Sequence, residues 1–359
     1  MTSRDAANRK RIAETLKKIR AEFSDYENAV TLISSVEAWI EHEWGGNGRS
    51  GKHLVEFDRF PVLGDNLTPD FIAKFDTPYV LCGEYKKNYH PGSDDREQII
   101  AYSNWQPPDM PKPGYDVLLL VSTHNDDAAA KDIYGDGQEP KPQASVVIVG
   151  YFREAERVNG EWFSLKWRDH GGKNRKFSKP NATGKPGEKD LNSLLSDKPT
   201  CSIQVSKPAI DLSGRNPIIN DEPPPLYTAI RIIQPAINEL LTDADRDTLA
   251  SARRVEKTVS RTDILSTDIL RRLKLREKTV QLALDFLVKI GQAKKLPEVD
   301  PPKYMLTVDL KSLKSDSMDL MSKKAASALV PKIKGSRGRP SKRRVSKGQM
   351  NLKFDSGPS

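Results

Sequence analysis

Two acidic side chains and a lysine are spaced so that one hairpin would bring them together. Asp70 opens the apolar segment 70–75, and Glu84 and Lys86 close the apolar segment that starts at residue 79. Between them lies the turn signal at residues 76–78, and Asp70 and Glu84 each stand seven positions from Thr77. A hairpin folded about this turn sets the two carboxylates directly opposite each other, with Cβ atoms about 5 Å apart.

The chemistry that this pairing favours is metal binding. Like charges so placed repel each other unless a cation lies between them, and Mg²⁺ is the simplest such cation because it prefers carboxylate oxygens. Lys86 lies two residues beyond Glu84. Since side chains alternate along a strand, Lys86 points to the same face, where its ammonium group could hold or help deprotonate a water molecule.

The surrounding segments predict the elements that would position this hairpin. Apolar residues at 29, 33, 36 and 40 predict a helix, and strands are predicted at 53–63, 70–75, 79–85 and 115–122. A second helix is predicted at 93–105, and two more strands at 144–152 and 162–167, joined around Asn159 and Gly160. The order is helix, three strands, helix, strand, which predicts an α/β domain that closes near residue 170.

Pro69-Asp70, Glu84 and Lys86 resemble the signature of the PD-(D/E)xK nuclease superfamily, on the hairpin where that family carries it. The element order over residues 25–125 is also similar to that family's restriction-endonuclease-like core, a mixed sheet flanked by helices. The resemblance implies a metal-dependent enzyme that cleaves phosphodiester bonds, usually in DNA. It implies one or two Mg²⁺ ions on the aspartate and the glutamate, and Mn²⁺ is expected to substitute.

The resemblance also implies supporting residues outside the hairpin. A glutamate of the first helix often joins the metal ligands, and Glu37 is the best match because it shares the apolar face of the predicted helix; Glu41 and Glu43 are substitutes. Gln98 and Tyr102 reproduce the Gln-x-x-x-Tyr pattern of the RecB-type branch. Their four-residue spacing places them on one face of the second helix.

A rival motif occupies residues 46–53, where GNGRSGKH has the Gly and Gly-Lys spacing of a phosphate-binding loop. His53 stands where Ser or Thr should meet Mg²⁺, and the segment leaves a helix and enters a strand, the reverse of a phosphate loop. ATP binding is therefore not favoured. Arg49 and Lys52 are predicted to approach the DNA backbone beside the metal site.

The second half of the chain predicts a DNA-binding unit. Residues 171–225 are rich in Lys, Asn, Gly, Ser and Pro and predict a linker, and residues 226–312 predict a winged helix-turn-helix domain. Its candidate recognition helix spans residues 277–290, with a buried apolar side and an exposed side that carries Lys278, Gln281 and Lys289. These three residues would contact DNA if the helix enters the major groove. Contact with another protein is the alternative, because winged helices also mediate protein contacts.

The excess positive charge lies at the end of the chain. The formal net charge is +9, and residues 331–354 hold nine Lys or Arg and no acid, so the rest of the chain is balanced. Residues 313–359 are therefore predicted to be a disordered basic tail that binds polyanions. Arg337 and Arg339 lie in the stretch Arg337-Gly338-Arg339-Pro340, which resembles an AT-hook, with a nonspecific basic tail as the alternative. Residues 349–354 (QMNLKF) look like the peptide by which bacterial proteins dock on the replication sliding clamp.

Composition excludes several classes of protein. No apolar run approaches a membrane span, and Cys82 and Cys201 alone cannot form a disulfide framework or a four-thiolate zinc site, which favours the cytoplasm. The sequence thus predicts a Mg²⁺-dependent DNA endonuclease of restriction or antiphage defence, repair or transposition. DNA is its expected partner, and a second copy in a homodimer is a further candidate. The alternative is a non-catalytic DNA-binding regulator built on a nuclease-like scaffold.

Overall fold

The structure is a computed structural model that describes most of the chain. The described residues are 3–44, 54–59, 61–63, 67–76, 79–105, 114–157, 160–178, 201–204, 218, 223–273, 275–296, 301–309 and 317–330. Arg49, Lys52, Asn159, Arg337, Arg339 and the clamp-like segment 349–354 lie outside these ranges, so the predictions made for them stay predictions.

A mixed sheet forms the centre of the first half of the chain. Its seven strands lie side by side in chain order. The strands are β1 Leu54–Arg59, β2 Phe71–Phe75, β3 Val80–Lys86, β4 Tyr115–Ser122, β5 Ser145–Arg157, β6 Gly160–Trp167 and β7 Cys201–Gln204. The inner strands β3, β4 and β5 are parallel, and every other neighbouring pair is antiparallel.

Helices cover both faces of this sheet, which confirms the predicted α/β class with a mixed sheet flanked by helices. Helix α1 (Ser3–Trp44) covers one face, while α2 (Asp94–Asn104) and α3 (Asp126–Tyr134) cover the other. Strand β4 is buried on both sides because Leu118 and Leu120 face α1 whereas Val117 and Leu119 face α2 and α3. A parallel strand that is covered on both faces has a continuous run of apolar residues, and residues 117–121 (VLLLV) form such a run.

The C-terminal half adds a second, smaller sheet with helices around it. Helix α4 comprises Pro225–Thr228, a π-helical turn Ala229–Ile233, and Gln234–Glu239. It is followed by α5 Asp243–Ala252, β8 Arg254–Ser260, α6 Arg261–Leu265, α7 Asp268–Leu273, α8 Glu277–Lys289, β9 Ala293–Leu296 and β10 Lys303–Asp309. The three strands form an antiparallel sheet in the order β8, β10, β9, and β8 was not predicted.

Two segments predicted to lack regular structure contain elements. Within the predicted linker 171–225, β7 extends the large sheet beside β6, and the side-chain amide of Asn174 donates to the carbonyl of Ile148 (2.7 Å) and accepts from its N–H (3.0 Å). Within the predicted disordered tail 313–359, Ser317–Leu329 forms helix α9, which packs on α1. Both predictions were wrong at these residues because the partners that order them are distant in sequence.

Helix α1 joins the two halves of the molecule. The ring of Tyr227, at the start of α4, lies 5.5 Å from the ring of Phe23 and 4.6 Å from that of Tyr26, both on α1. Arg231 forms an ion pair with Glu27 on the same helix. One apolar cluster therefore runs from the large sheet through α1 into the C-terminal half. None of the described helices is long and apolar enough to cross a membrane.

Candidate active site

The β2–β3 hairpin sets Asp70 and Glu84 opposite each other, as the sequence predicted. Phe71 pairs with Gly83 and Ile72 with Cys82, and the same register continued by one residue aligns Asp70 with Glu84. The N–H of Asp70 donates to Glu84 Oε2 at 3.3 Å, and the N–H of Tyr85 donates to Asp70 Oδ2 at 2.7 Å. Each carboxylate is therefore held by the backbone of the other strand.

A glycine allows the close packing beside these acids. A Cβ at Gly83 would lie 2.0 Å from the ring of Phe71, so no other residue fits there without moving that ring. The Phe71 ring is in turn stacked on Phe57 of β1, with centroids 4.8 Å apart. This packing fixes the hairpin backbone at the residue pair next to the aligned acids.

Lys86 lies on the same face as Glu84, as strand alternation predicted. Its Nζ is 3.0 Å from Glu84 Oε1 and donates to Gln98 Oε1 at 2.6 Å. Asp95 Oδ1 forms a longer ion pair with the same nitrogen, at 3.4 Å. The ammonium group is thus held between the end of β3 and the first two turns of α2.

Gln98 and Tyr102 are joined to this site by hydrogen bonds. Gln98 Nε2 donates to the Tyr102 hydroxyl at 2.6 Å, and that hydroxyl donates to the carbonyl of Thr68 at 3.0 Å, two residues before Asp70. Arg96 anchors the helix on its other side by donating to the carbonyls of Asp132, Glu139 and Pro140. The sequence predicted the Gln and Tyr pair but gave no signal for the anchor, since its acceptors are backbone carbonyls.

Burial and neighbouring charges shift the ionisation of the hairpin side chains. Burial and the charge of Glu84 raise the pKa of Asp70 well above its usual range, and burial raises the pKa of Glu84. Burial alone would lower the pKa of Lys86, but the charge of Glu84 and its hydrogen bond raise it. Both carboxyl groups therefore lose their protons less readily than exposed carboxyl groups do.

A cleft of about 730 Å³ opens on these residues between α1, the hairpin and α2. Four carboxylates and three lysines line it, so its lining has no surplus of positive charge toward a phosphate group. Two of those acids, Glu22 and Asp25, belong to α1 and were not predicted. The lining residues are Lys18, Ala21, Glu22, Asp25, Tyr26, Ala29, Thr68, Asp70, Glu84, Tyr85, Lys86, Lys87, Gln98 and Pro224.

Glu37 does not belong to this cleft, which corrects the predicted first-helix ligand. Its carboxylate forms an ion pair with Arg59, which also donates to Ser34 Oγ at 3.0 Å, and both members of the pair are buried. The charge of Glu37 is thus already neutralised. Of the two substitutes, Glu41 is exposed and is not among the lining residues, while the side chain of Glu43 lies outside the described residues, so the prediction for it stays a prediction.

The candidate recognition helix α8 has the predicted buried side. Val280, Ala283, Leu284, Leu287 and Ile290 are all buried.

On its outer side, Lys278 and Lys289 are exposed as predicted. Gln281 differs, because it is only partly exposed and its Nε2 donates to the Tyr304 hydroxyl at 2.7 Å and to Asp285 Oδ1 at 3.0 Å. Its amide hydrogens are engaged within the protein, and its contact with DNA stays a prediction.

Within the described part of the chain, no three His, Cys, Asp or Glu side chains converge in an arrangement that could hold a metal ion. The hairpin therefore offers two carboxylates, Asp70 and Glu84, to any cation. Comparison of the chain with models of protein families, with curated proteins and with solved structures finds no match.

Proposed function

We propose that this protein is a Mg²⁺-dependent DNA endonuclease of the PD-(D/E)xK type. The observation that carries the proposal is the apposition of Asp70 and Glu84 on one hairpin, with the Lys86 ammonium 3.0 Å from Glu84. These are the three residues of the resemblance, and they share a cleft that can admit a substrate strand. A site with two carboxylates and a lysine at one cleft is suited to phosphodiester hydrolysis.

The residues fit Mg²⁺ on two grounds. The pKa of Asp70 is raised by burial and by Glu84, so a cation between the two carboxylates would relieve a repulsion that is present in the folded chain. Mg²⁺ typically keeps several waters and takes only one or two carboxylates from the protein, so two ligands suffice. Bound there by Asp70 and Glu84, Mg²⁺ would supply Lewis-acid stabilisation of the charge that develops on the phosphodiester.

Side chains of the cleft would have the remaining roles in catalysis. Lys86 would hold the attacking water and neutralise charge on the phosphate, since it is the one cation in direct contact with Glu84 in the described structure. Gln98 would orient Lys86 through its Oε1, and Tyr102 would orient Gln98 through its hydroxyl. Lys87 is engaged by Asp25 at 2.5 Å, which places it on the far wall of the cleft.

DNA would be held by the C-terminal half. Helices α6, α7 and α8 with the β8–β10 sheet have the content of a winged helix-turn-helix, and exposed Lys278 and Lys289 on α8 would contact the duplex. The basic residues 331–354 would add a sequence-independent electrostatic term. Restriction or antiphage defence, repair and transposition are settings that need such an enzyme.

The test is a plasmid-nicking assay with the full chain. Supercoiled DNA should be converted to nicked or linear form in Mg²⁺ or Mn²⁺ and remain intact when a chelator is added. Binding of the same plasmid with no cleavage in either metal would instead favour the non-catalytic DNA-binding regulator. Lys86→Ala should lower the rate while metal binding persists.

A further inference from the structure

The ammonium group of Lys86 is held by three residues. Its Nζ donates to Gln98 Oε1 at 2.6 Å and forms ion pairs with Glu84 Oε1 at 3.0 Å and Asp95 Oδ1 at 3.4 Å. An ammonium group carries three hydrogens, so it can face three such partners at once. Two of the three are carboxylates, and only Glu84 is explained by the proposed metal site.

Asp95 is itself fixed in place. It lies in the first turn of α2, where its N–H donates to Ser93 Oγ at 3.2 Å, and its Oδ2 accepts from the N–H of His90 at 3.1 Å. One carboxylate oxygen is thereby tied to the loop before the helix, which leaves the other facing Lys86. The side chains of Lys86 and Asp95 are each 19% exposed, so solvent screens this pair less than it screens a surface pair.

A cation bound by Glu84 would change the electrostatic forces on the ammonium group of Lys86. Glu84 would then share its charge with the cation, and the cation would repel the ammonium group of Lys86. Among the described residues, Asp95 is the other carboxylate in contact with Lys86, and it lies on the helix side, away from the hairpin. Its charge would keep the ammonium group beside the cleft.

We infer that Asp95 is a positioning residue that keeps the ammonium group of Lys86 beside the cleft when metal and DNA are bound there. The inference rests on the proposed nuclease function. Among the contacts of the described residues, Asp95 is joined to the proposed site through Lys86.

The test compares Asp95→Asn with Asp94→Asn in the full chain. Asp94 is the exposed neighbour in the same helical turn, so both variants remove one charge from the N-terminus of α2. Asp95→Asn should lower kcat for plasmid cleavage about tenfold to a hundredfold, the cost typical of a group that orients a metal-site residue. KM for DNA and the Mg²⁺ concentration for half-maximal rate should stay the same, and Asp94→Asn should match the wild type.

A double variant shows whether a lower cleavage rate in Asp95→Asn arises through Lys86. In a Lys86→Ala background, Asp95→Asn should cause no additional loss, because the residue acts through Lys86. Equal rates for Asp95→Asn and Asp94→Asn, or a full additional loss in the Lys86→Ala background, would overturn the inference.

Nitrogen-15 NMR of the Lys86 ammonium group reads its placement without cleavage, so a failure of the proposed nuclease function can be told apart from a failure of this inference. The resonance should change in Asp95→Asn and not in Asp94→Asn. No change in Asp95→Asn would overturn the inference whether or not the protein cuts DNA.

Discussion

Asp70 and Glu84 are held side by side by reciprocal backbone hydrogen bonds despite their like charge. The N–H of Asp70 donates to Glu84 Oε2 at 3.3 Å, while Asp70 Oδ2 accepts from the N–H of Tyr85 at 2.7 Å. Burial raises the pKa of both carboxyl groups, and the charge of Glu84 raises that of Asp70 further. The arrangement therefore costs folding free energy in the absence of a cation, as binding sites for charged ligands often do.

The first prediction concerns this cost. Asp70→Asn should raise the Tm of the metal-free protein by a few degrees, because it removes one of two repelling charges and keeps an oxygen that can accept from Tyr85. Mg²⁺ should raise the Tm of the wild type and leave that of Asp70→Asn unchanged, since ligand binding stabilises only a protein that binds it. Thermal unfolding with chelator and with Mg²⁺ measures both effects.

The difference in Tm between Asp70→Asn and the wild type should change with pH in one direction. Because the folded-state pKa of Asp70 is raised, the cost of its charge is present above that pKa and is relieved as pH falls toward the unfolded value of about 3.9. The Tm advantage of Asp70→Asn should therefore shrink on acidification.

Asp245 is the control for this pH dependence, since hydrogen bonds from Lys257 and Thr242 lower its pKa to about 2. Asp245→Asn should be less stable than the wild type at neutral pH, with a deficit that disappears as pH falls from about 4 toward 2. An Asp70→Asn advantage that grew on acidification would contradict the account.

A second prediction separates Glu37 from the metal site. Glu37→Ala should destabilise the protein by about 3–5 kcal/mol, because Arg59 is left as a buried charge without its partner. At a temperature where the variant is folded, cleavage should keep the Mg²⁺ dependence of the wild type. A changed Mg²⁺ dependence with unchanged stability would restore Glu37 as a ligand.

The hairpin could be predicted from sequence because its signal is local. Asp70, Glu84 and Lys86 lie on one short hairpin, where strand alternation and symmetry about Thr77 decide which side chains meet. The partner of Glu37 could not be predicted, since Arg59 lies 22 residues away and approaches through tertiary packing. Local pattern carries no information about such a pair.

The acids on the other wall of the cleft were missed for a different reason. Helix α1 begins at Ser3, whereas the apolar pattern indicated only the part from residue 29 onward. Continued backward from Ala29 in steps of three and four, that pattern passes through Tyr26, Glu22 and Lys18, all of which line the cleft. Lys18 and Glu22 are exposed, so no apolar pattern marks this part of the helix as a wall of the cleft.

A third prediction concerns the contact between the two halves of the chain. Tyr227→Ala should destabilise the protein by about 3–5 kcal/mol, because the ring is 2% exposed and packs on Phe23 and Tyr26. Both halves should still unfold in one transition, since α1 belongs to the cores of both. Tryptophan fluorescence follows the first half, which holds all five tryptophans, and hydrogen exchange on β4 and α8 follows each half separately. Two separate transitions in the wild type would mean that the halves are independent.

A fourth prediction concerns the basic segment. Deleting residues 332–359 should weaken DNA binding and flatten its salt dependence by a log-log slope of up to about 0.9 per lost phosphate contact. Arg337→Ala with Arg339→Ala should cost more on A·T-rich than on G·C-rich duplexes if the segment enters the minor groove. Binding titrations at several salt concentrations measure both. An unchanged slope after the deletion would remove DNA from the partners of this segment.

Single-turnover cleavage of a saturating DNA duplex tests the central claim most directly. The account predicts that wild type and Glu56→Ala, which removes an exposed carboxylate of the neighbouring strand β1, cut at the same Mg²⁺-dependent rate. Asp70→Ala and Glu84→Ala should bind the duplex with near wild-type affinity and leave it uncut. Mg²⁺-dependent cutting retained in both of those variants would contradict the account.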